Sequence, residues 1–446
     1  MRIIPQNGIK ERPFAFLTIM TQEIQSDFLS SGEIFVAINL LLSVTFLVCY
    51  LYQFFYIAVP FFCKDKAHKP TRDHRFAVLI SARNEEAVLP ILLESLNKQT
   101  YARENFTVFV IADNCTDKTA AVAKENGAVV YERANREKVG KGYALDFLYE
   151  KIVADYGDAH FDAYMIFDAD NVLDPHYIEE INKTFSDGYE VITSYRNSKN
   201  YGDNWITAGY ALWFLRESEY LNHSRMLMNS SCAVSGTGFT FSSKIMREVG
   251  GWKFFLLTED IEFTVYNVVK GRKIGYAKDA ELYDEQPVTF AQSWRQRLRW
   301  AKGYIQVWGK YGNVLMKNIF SDKFASCYDM TMTIMPALVL SILTLINCAV
   351  GTIFGLIFDW EIGKILTSLI LTFAGIYGTL WIIGAVTTAT QWKKIHCGNV
   401  KKIFYTFTFP VFMLTYLPIA ITAIFKKVEW KPIAHNQAKR LSDITR

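Results

Sequence analysis

A carboxamide, a guanidinium and an indole stand in this chain at a spacing that suits the binding of a phosphate-bearing ligand. Gln296, Arg299 and Trp300 occupy positions i, i+3 and i+4, so in a helix they share one face. That face would hold a phosphate-bearing donor beside a sugar, with the indole as a flat platform. A long apolar segment begins a few turns later, which suggests a site close to a membrane.

Paired carboxylates supply a second kind of chemistry. Asp168 and Asp170 alternate along an extended chain directly after the apolar run 164–167. Two carboxylates in this position can hold a hard divalent cation, which neutralises a diphosphate. A solvated strand end is the plainer interpretation of such a pair taken by itself. Asp113 also follows an apolar run, where an Asp either caps the next helix or contacts a ligand.

Three further segments carry functional side chains or turns. Lys141, between two glycines, is either an exposed loop lysine or a phosphate ligand. Gly236 and Gly238 imply a tight turn or a close approach of the backbone to a ligand. Glu259 and Asp260 precede an apolar helical pattern, so they either cap a helix or include a general base. The sequence has no Gly-x-Gly-x-x-Gly after its first predicted strand, which disfavours a dinucleotide site.

Alternating strand and helix patterns position these residues. The patterns predict strands at 76–80, 107–112, 129–131 and 164–167, with helices at 86–97, 117–126 and 142–156. This alternation favours an α/β domain with a mainly parallel sheet and helices on both faces. In such sheets ligands bind beyond the carboxyl ends of the strands, which is where the polar motifs lie.

A helix predicted at 290–308 carries the Gln-x-x-Arg-Trp motif. Its apolar residues form one stripe, made of Phe290, Trp294, Leu298, Ala301, Ile305 and Trp308. We expect the stripe to lie in the membrane interface and to face lipid, which turns Gln296 and Arg299 toward the strand ends. An amphipathic helix packed on the domain is the alternative.

Charge-free segments predict a membrane protein. The chain has 446 residues, of which 51% are hydrophobic and 21% charged. Segments 34–62, 330–358, 365–392 and 403–425 lack charge and are long enough to cross a bilayer. Basic residues at 64–72 and 393–402 place the central domain in the cytoplasm by the positive-inside rule. Basic residues after 425 conflict with a full last crossing, and two prolines allow a broken or re-entrant segment there.

The expected organisation follows from these segments. We expect an N-terminal segment at 1–33, a transmembrane helix at 34–62, a cytoplasmic domain at 63–287, amphipathic interface helices at 288–329, a membrane region of about three segments at 330–425, and a basic tail at 426–446. The net charge of +4 does not indicate nucleic acid binding. The seven cysteines form no C-x-x-C pair and are expected to be reduced and structural.

Four motifs in order carry a resemblance to a known family. They are Asp113, Asp168-x-Asp170, Thr258-Glu259-Asp260 and Gln296-x-x-Arg299-Trp300. With membrane spans on either side, they resemble the membrane-embedded family 2 glycosyltransferases, which include cellulose, chitin, hyaluronan and poly-N-acetylglucosamine synthases. The resemblance covers residues 76–308 and the adjoining spans. It implies a GT-A fold, a UDP-linked sugar donor and Mg²⁺ or Mn²⁺.

The resemblance also implies roles for individual residues. The nucleotide sugar would be bound by Ala82, Arg83, Glu85, Asp113, Lys141, Asp168, Gln296 and Arg299. The metal would be held by Asp170 together with Asp168. Asp260 would act as the general base beside Glu259. The acceptor would be contacted by Trp300, Gly236, Thr237 and Gly238.

The leading expectation is an inverting, multi-pass enzyme of the plasma membrane. It would add a hexose or N-acetylhexosamine from a UDP-sugar to a growing β-linked polysaccharide, with coupled translocation. Single transfer to a membrane lipid is the alternative. A transporter is disfavoured because the spans hold almost no ionisable residue. The implied partners are a UDP-sugar, a polysaccharide acceptor and the lipid bilayer, with a homo-oligomer or accessory secretion proteins left open.

Overall fold

An eight-stranded sheet forms the centre of the domain that follows the first apolar helix. The computed structural model describes residues 12–358, 362–431, 435 and 437–445. The strands are β1 Phe76–Ala82, β2 Phe106–Asp113, β3 Val129–Arg133, β4 Ala163–Asp168, β5 Val172–Leu173, β6 Val191–Ser198, β7 Phe239–Ser242 and β8 Ile274–Asp284. Their order in the sheet is β3-β2-β1-β4-β7-β6-β8-β5. Strands β1 to β4 are parallel, as are β6 and β8, whereas β7 and β5 run antiparallel to their neighbours.

Helices flank this sheet and make up the segments before and after it in the chain. They are α1 Arg12–Phe62, α2 Leu89–Asn97, α3 Thr119–Glu125, α4 Lys141–Tyr156, α5 Tyr177–Ser186, α6 Trp205–Arg216, α7 His223–Leu227, α8 Ser243–Val249, α9 Glu259–Val269, α10 Phe290–Asn318, α11 Phe324–Ile334, α12 Pro336–Phe358, α13 Ile362–Thr390, α14 Asn399–Leu414, α15 Tyr416–Phe425 and α16 Leu441–Ile444. A 3₁₀ turn spans Arg103–Asn105, and a π-helical turn at Glu217–Asn222 joins α6 to α7. The expected strands and helices of the first half are confirmed to within a few residues.

The sheet is buried on both faces, which explains the continuous apolar runs of its strands. In β1, Phe76, Val78 and Ile80 pack into one hydrophobic cluster. The intervening Ala77 and Leu79 pack into a second cluster on the other face. Alternate side chains of a strand point to opposite faces, so both faces of β1 need apolar residues. The mainly parallel α/β architecture is therefore confirmed.

The described residues fall into two compact units. One consists of residues 12–49, 337–358 and 362–378 and holds only helical segments. Within it, the Asn347 side chain donates hydrogen bonds to Asn39 Oδ1 (2.6 Å) and to the Phe35 carbonyl (2.9 Å). Such amide pairs join apolar helices where water is scarce. The other unit holds the sheet, α2 to α11, the end of α13, α14 to α16 and the tail.

Four helical stretches among the described residues are long and apolar enough to span a membrane. They are Glu33–Phe62, Ala337–Phe358, Gly363–Thr390 and Asn399–Phe425. The expected span 330–358 is wrong at its start, because α11 ends at Ile334 and α12 begins at Pro336. A proline disfavours helical conformation in the preceding residue and lacks the N–H that continues a helix.

The last apolar stretch is likewise interrupted. It consists of α14 and α15, which meet at Thr415. Pro418 has no N–H to donate to the carbonyl of Leu414, so the helix is broken at this point. The sequence had left open whether this stretch forms one continuous span or a broken segment; the structure shows a one-residue interruption at Thr415 within a stretch that is long and apolar enough to cross a membrane.

Both halves of this broken stretch lie against the domain. Lys401, in the first turn of α14, donates to the carbonyl of Gly202 (2.7 Å). At the break, the Arg297 guanidinium donates to the carbonyl of Phe412 (3.1 Å) and to Thr415 Oγ1 (2.8 Å). Lys302 of α10 donates to the carbonyl of Ala423 (3.0 Å) near the end of α15.

The apolar stripe of α10 therefore has a protein partner rather than lipid at its centre. Leu298 and Ala301 are buried in a cluster with Ile419 and Ala423 of α15. The expectation that the stripe faces lipid is wrong for these residues, because an apolar stripe is satisfied equally by lipid and by another apolar helix. The alternative that α10 is a packed amphipathic helix describes it better.

Candidate active site

The carboxyl ends of β1, β2 and β4 meet at one edge of the sheet. Ser81 of β1 lies beside Asp168 of β4 in the parallel register. Asp113 ends β2, and its Oδ1 accepts a hydrogen bond from Arg133 Nη1 at 2.5 Å in a buried ion pair. The polar motifs thus come together as expected, but Asp113 is already paired by a side chain of the neighbouring strand β3.

A lysine links the first carboxylate of the Asp-x-Asp pair to a glycine turn. Lys141 Nζ lies 2.5 Å from Asp168 Oδ1 and 2.8 Å from the carbonyl oxygen of Gly236. Burial lowers the pKa of Lys141, but Asp168 and Glu259 outweigh that effect, so the pKa is raised above its usual value. Lys141 is therefore a fixed positive charge at the strand ends and not an exposed loop lysine.

The second carboxylate of the pair is enclosed by cations. Asp170 is 4% exposed, and its Oδ2 accepts a hydrogen bond from the backbone N–H of Glu285 (2.9 Å). Burial raises its pKa, but the positive charges of His435, Lys199 and Arg196 outweigh burial, so the pKa of Asp170 is lowered. Asp170 is thus held ionised, as a cation ligand must be.

The donor set at this edge fits a divalent cation that shares its ligands with phosphate. Among the described residues there is no group of three or more His, Cys, Asp or Glu side chains arranged to hold a metal. Mg²⁺ and Mn²⁺ need no such cage when one or two carboxylates, water and substrate phosphates complete the coordination. Asp168 and Asp170 provide those two carboxylates. Buried polar atoms without a hydrogen-bond partner, Arg83 Nη1, Lys199 Nζ and Gln296 Oε1, leave capacity for a polar ligand.

The turn 235–238 requires its glycines. Gly236 and Gly238 both have positive φ, 75° and 64°. A Cβ on Gly238 would lie 1.9 Å from Leu282 Cδ2, so no side chain fits there. Thr237 Oγ1 accepts from the backbone N–H of Asp168 (2.9 Å) and donates to Asn171 Oδ1 (2.5 Å). The turn is thereby fixed to the end of β4.

The two acidic residues at the start of α9 have different environments. Asp260 Oδ2 accepts a hydrogen bond from the backbone N–H of Gly236 at 2.6 Å, which aims this carboxylate at the turn. Glu259 is 8% exposed, and burial followed by the negative charge of Asp260 raises its pKa. The side chain of Thr258 makes no cap bond to α9, and its hydroxyl has no partner. Asp260 is therefore the better placed of the two to receive a proton at the turn.

The motif on α10 contacts the same edge of the domain. Arg299 Nη1 donates to the carbonyl of Leu257 (2.8 Å), which directly precedes the acidic segment. Gln296 is half-buried, on the face that also holds Arg299. Trp300 meets Tyr210 and Phe214 of α6 edge to face, with ring centroids 5.8 and 6.3 Å apart. The indole is braced by aromatic rings, as a stacking platform should be.

The tail contacts Arg83 and Glu85, two of the residues that the resemblance assigned to binding of the nucleotide sugar. Trp430 lies under the Arg83 guanidinium at 5.5 Å, and His435 Nδ1 lies 3.0 Å from Glu85 Oε1. Burial lowers the pKa of His435, but Asp170 and Glu85 outweigh it and raise the pKa to about 10. Ala82 is buried at the end of β1.

The tail continues across the domain and is anchored beyond the site. The backbone N–H of Gln437 donates to Glu285 Oε2 (2.9 Å), and Arg440 pairs with Glu94 (3.0 Å). Ile444 packs against Val172 and Tyr283. Sequence reasoning treated this segment only as a basic tail and missed Trp430 and His435. The only feature of the sequence that could have indicated these contacts is the presence of a tryptophan and a histidine among the lysines of the segment.

The sheet and the charged cluster at its strand ends define a glycosyltransferase of the GT-A type. The chain belongs to the family described as glycosyltransferase like family 2, whose model matches residues 74–303. That range runs from the residues just before β1 to the first half of α10, so it contains every predicted site residue.

Curated relatives are about a quarter identical to this chain over the residues that match. A probable glycosyltransferase of Bacillus subtilis, YdaM, is 24% identical over 280 residues, which cover 56% of this chain and 61% of the relative. A beta-monoglucosyldiacylglycerol synthase of Nostoc is 26% identical over 277 residues, covering 59% and 56%. A poly-beta-1,6-N-acetyl-D-glucosamine synthase of Staphylococcus aureus is 25% identical over 252 residues, covering 54% and 56%. The chain thus spans little more than half the length of these relatives.

A solved structure shares the fold. The mannosyltransferase PcManGT of Pyrobaculum calidifontis, in complex with GDP-Man and Mn²⁺, superposes with a TM-score of 0.50 at 16% identity. The match covers 88% of this chain and 99% of that one. At this identity the likeness concerns the fold alone, and it confirms the expected GT-A architecture.

Proposed function

We propose that this glycosyltransferase moves a hexose or N-acetylhexosamine from a UDP-sugar to a hydroxyl of a membrane lipid, with inversion at the anomeric carbon. The choice of a lipid acceptor rests on the path of residues 399–425. These 27 residues are helical except for the interruption at Thr415, and the start, the interruption and the end of the stretch all bond to the domain. We therefore take the stretch to lie along the domain and not to cross the membrane.

Of the four candidate spans among the described residues, three then remain as full membrane crossings: α1, α12 and α13. Three helices are few to enclose a polysaccharide within one chain, whereas a lipid acceptor needs no channel. The pair α12 and α13 leaves the domain after α11 and returns to it, since Lys394 bonds to Glu281. The basic segments 64–72, 393–402 and 426–431 then lie on one side of the membrane, which the positive-inside rule makes the cytoplasmic side.

The site residues take the following roles in this proposal. Asp260 accepts the proton of the acceptor hydroxyl while that oxygen bonds to the anomeric carbon of the donor. The bond from that carbon to the β-phosphate oxygen breaks, and UDP leaves with the electron pair. Lys141 and Arg299 hold the diphosphate, and Gln296 donates to it from its amide nitrogen. A single displacement of this kind converts an α-linked donor into a β-linked product.

The remaining residues bind the ends of the two substrates. Asp168 and Asp170 would hold Mg²⁺ or Mn²⁺, whose chemistry when bound is to neutralise the diphosphate. Ala82, Arg83, Glu85 and Asp113 form the uridine side, and Trp300 with the turn 236–238 receives the acceptor. Glu259, close to Lys141, lies beside the base with a raised pKa.

Extension of a polysaccharide is the second candidate function. The braced indole of Trp300 favours it, because a flat aromatic platform supports the sugar at the end of a chain. The Staphylococcus relative is named for a polymer product and the Nostoc relative for a lipid product. The product distinguishes these two functions.

A labelled-donor assay tests the proposal. The full chain in a sugar-free detergent is incubated with radiolabelled UDP-glucose or UDP-N-acetylglucosamine, Mn²⁺ and mixed membrane lipids, with EDTA as the metal-free control. Label in the lipid extract supports transfer to a lipid, and label in high polymer replaces it with the second candidate. If neither fraction is labelled and no UDP is released, the glycosyl-transfer proposal is wrong. We expect EDTA to abolish transfer and added Mn²⁺ to restore it.

A further inference from the structure

One acidic side chain beside the turn is not used by the mechanism above. Glu217 begins the π-helical turn Glu217–Asn222, inside a helix that runs without interruption from Trp205 to Leu227. A π turn inserts a residue into a helix and changes the direction of the side chains at that point, and such turns are frequent at functional sites. Glu217 is half-buried.

Its position along the helix places Glu217 on the same face as the aromatic residues that contact Trp300. Tyr210, Phe214 and Glu217 follow at steps of four and three, so they share one helical face. The first two contact Trp300. The third reaches the turn, where its Oε2 accepts a hydrogen bond from Ser235 Oγ (3.3 Å).

Gly236, the next residue of the turn, contacts the proposed base Asp260. The backbone N–H of Gly236 donates to Asp260, as described above. A Cβ built on Gly236 would lie 3.9 Å from Asp260 Oδ2 and 3.6 Å from Arg196 Nη1, so these charged groups surround the same point. Glu217 therefore lies beside the location where an acceptor hydroxyl must meet Asp260.

The carboxylate of Glu217 has unused acceptor capacity. An ionised carboxylate offers about four lone-pair sites, and among the described residues only Ser235 donates to it. Its neighbour Arg196 is occupied, because the guanidinium pairs with Asp284, donates to the Ser235 carbonyl (2.9 Å) and stacks on Phe214 at 3.6 Å. Burial raises the pKa of Glu217 although Arg196 and Arg225 act in the opposite direction. A hydroxyl donor would relieve this buried charge.

We propose that Glu217 accepts a hydrogen bond from a second hydroxyl of the acceptor, next to the hydroxyl that attacks. The acceptor headgroup is then a sugar or another polyol. A lipid with one hydroxyl offers Glu217 no donor besides Ser235, and a lipid phosphate is repelled by it. This inference rests on the proposed transfer to a hydroxyl acceptor and specifies the class of that acceptor.

Acceptor preference tests the inference. The probes are octyl β-glucoside, which carries several neighbouring hydroxyls, and dioleoylglycerol, which carries one. Both are assayed with the labelled UDP-sugar that the wild type uses, in a sugar-free detergent. We expect the wild type to prefer the glucoside in kcat/KM by at least about tenfold, the effect of one hydrogen bond to a charged group. Glu217→Gln keeps an amide oxygen that accepts more weakly, so it should raise the KM for the glucoside by about fivefold and reduce the preference by the same factor.

A matched variant and a second readout separate this role from support of the turn. Glu219→Gln removes the same charge two residues away, where the side chain contacts His223 (3.3 Å) and not the turn, and should retain the wild-type preference. Binding of UDP, measured by calorimetry, needs no acceptor and should keep its affinity within a few-fold in Glu217→Gln. A wild type that uses dioleoylglycerol as well as the glucoside would overturn the inference but leave the proposed transfer intact. A loss of UDP affinity in Glu217→Gln equal to the loss of acceptor affinity would overturn it by showing a structural role.

Discussion

Replacement of Asp260 by Asn tests the assignment of the base while changing little else. The amide oxygen of Asn can still accept the hydrogen bond from the backbone N–H of Gly236, which is 2.6 Å long. That bond loses its charged acceptor, which weakens it by about 1 kcal/mol. The melting temperature of the domain should therefore fall by only about 2–4 °C. An Asn side chain does not accept a proton, so the loss of general-base catalysis should lower kcat by about 10²–10⁴-fold, equivalent to about 3–5 kcal/mol.

The difference between these two magnitudes makes the experiment decisive. Transfer is measured as label moved to the acceptor, donor binding by calorimetry with UDP, and stability by thermal melting. The matched control is Asp279→Asn, an exposed carboxylate on β8, which should resemble the wild type in all three. We expect Asp260→Asn to retain UDP affinity within a few-fold. A loss of UDP binding with residual transfer, or a fall in kcat of less than about tenfold, would contradict the assignment of Asp260 as the base.

Three further substitutions test the packing and charge pattern around the site. A Cβ on Gly303 would lie 2.4 Å from the hydroxyl oxygen of Thr258. Gly303→Val should therefore destabilise the protein by about 1–3 kcal/mol in denaturant unfolding. The control Gly309→Ala, which has open space around it, should be neutral or stabilising. Burial lowers the pKa of His223, but its carboxylate partners, Asp65 among them, raise it overall. The charged imidazole therefore stabilises the folded protein most below pH 6.5. The melting temperature of His223→Gln should lie furthest below that of the wild type in that range, and the difference should shrink as the pH rises. His435→Glu brings a third carboxylate to Glu85 and Glu285 and should release the tail, seen as faster proteolysis near the carboxyl terminus.

Local patterns in the sequence are sufficient to predict the sheet and the position of the site. The strand runs at 76–82 and 163–168 are almost wholly apolar because the strands are buried on both faces. The polar residues that follow each run therefore had to lie at a common edge of the sheet. The order of the motifs then led to the family, which the family model confirms over residues 74–303.

Contacts between distant segments left no local pattern. His435 meets Glu85 from 350 positions away, and nothing near either residue indicates the other. The pairing of Asp113 with Arg133 is likewise a property of the β2–β3 register and not of either motif. The stripe of α10 showed that an apolar partner exists, but an amphipathic pattern does not distinguish lipid from the apolar face of α15.

The turn 235–236 explains why donor and acceptor sites should respond to each other. Lys141 holds the Gly236 carbonyl, Asp260 its N–H, Arg196 the Ser235 carbonyl and Glu217 the Ser235 hydroxyl. In the proposed function Lys141 binds the donor and Glu217 the acceptor, so the peptide groups and the Ser235 hydroxyl of one short turn bond to residues of both sides. A shift of Lys141 toward a diphosphate would act on the turn that positions the base. A change in the backbone of this turn should therefore alter the Michaelis constants of donor and acceptor together, whereas Glu217→Gln should alter only that of the acceptor.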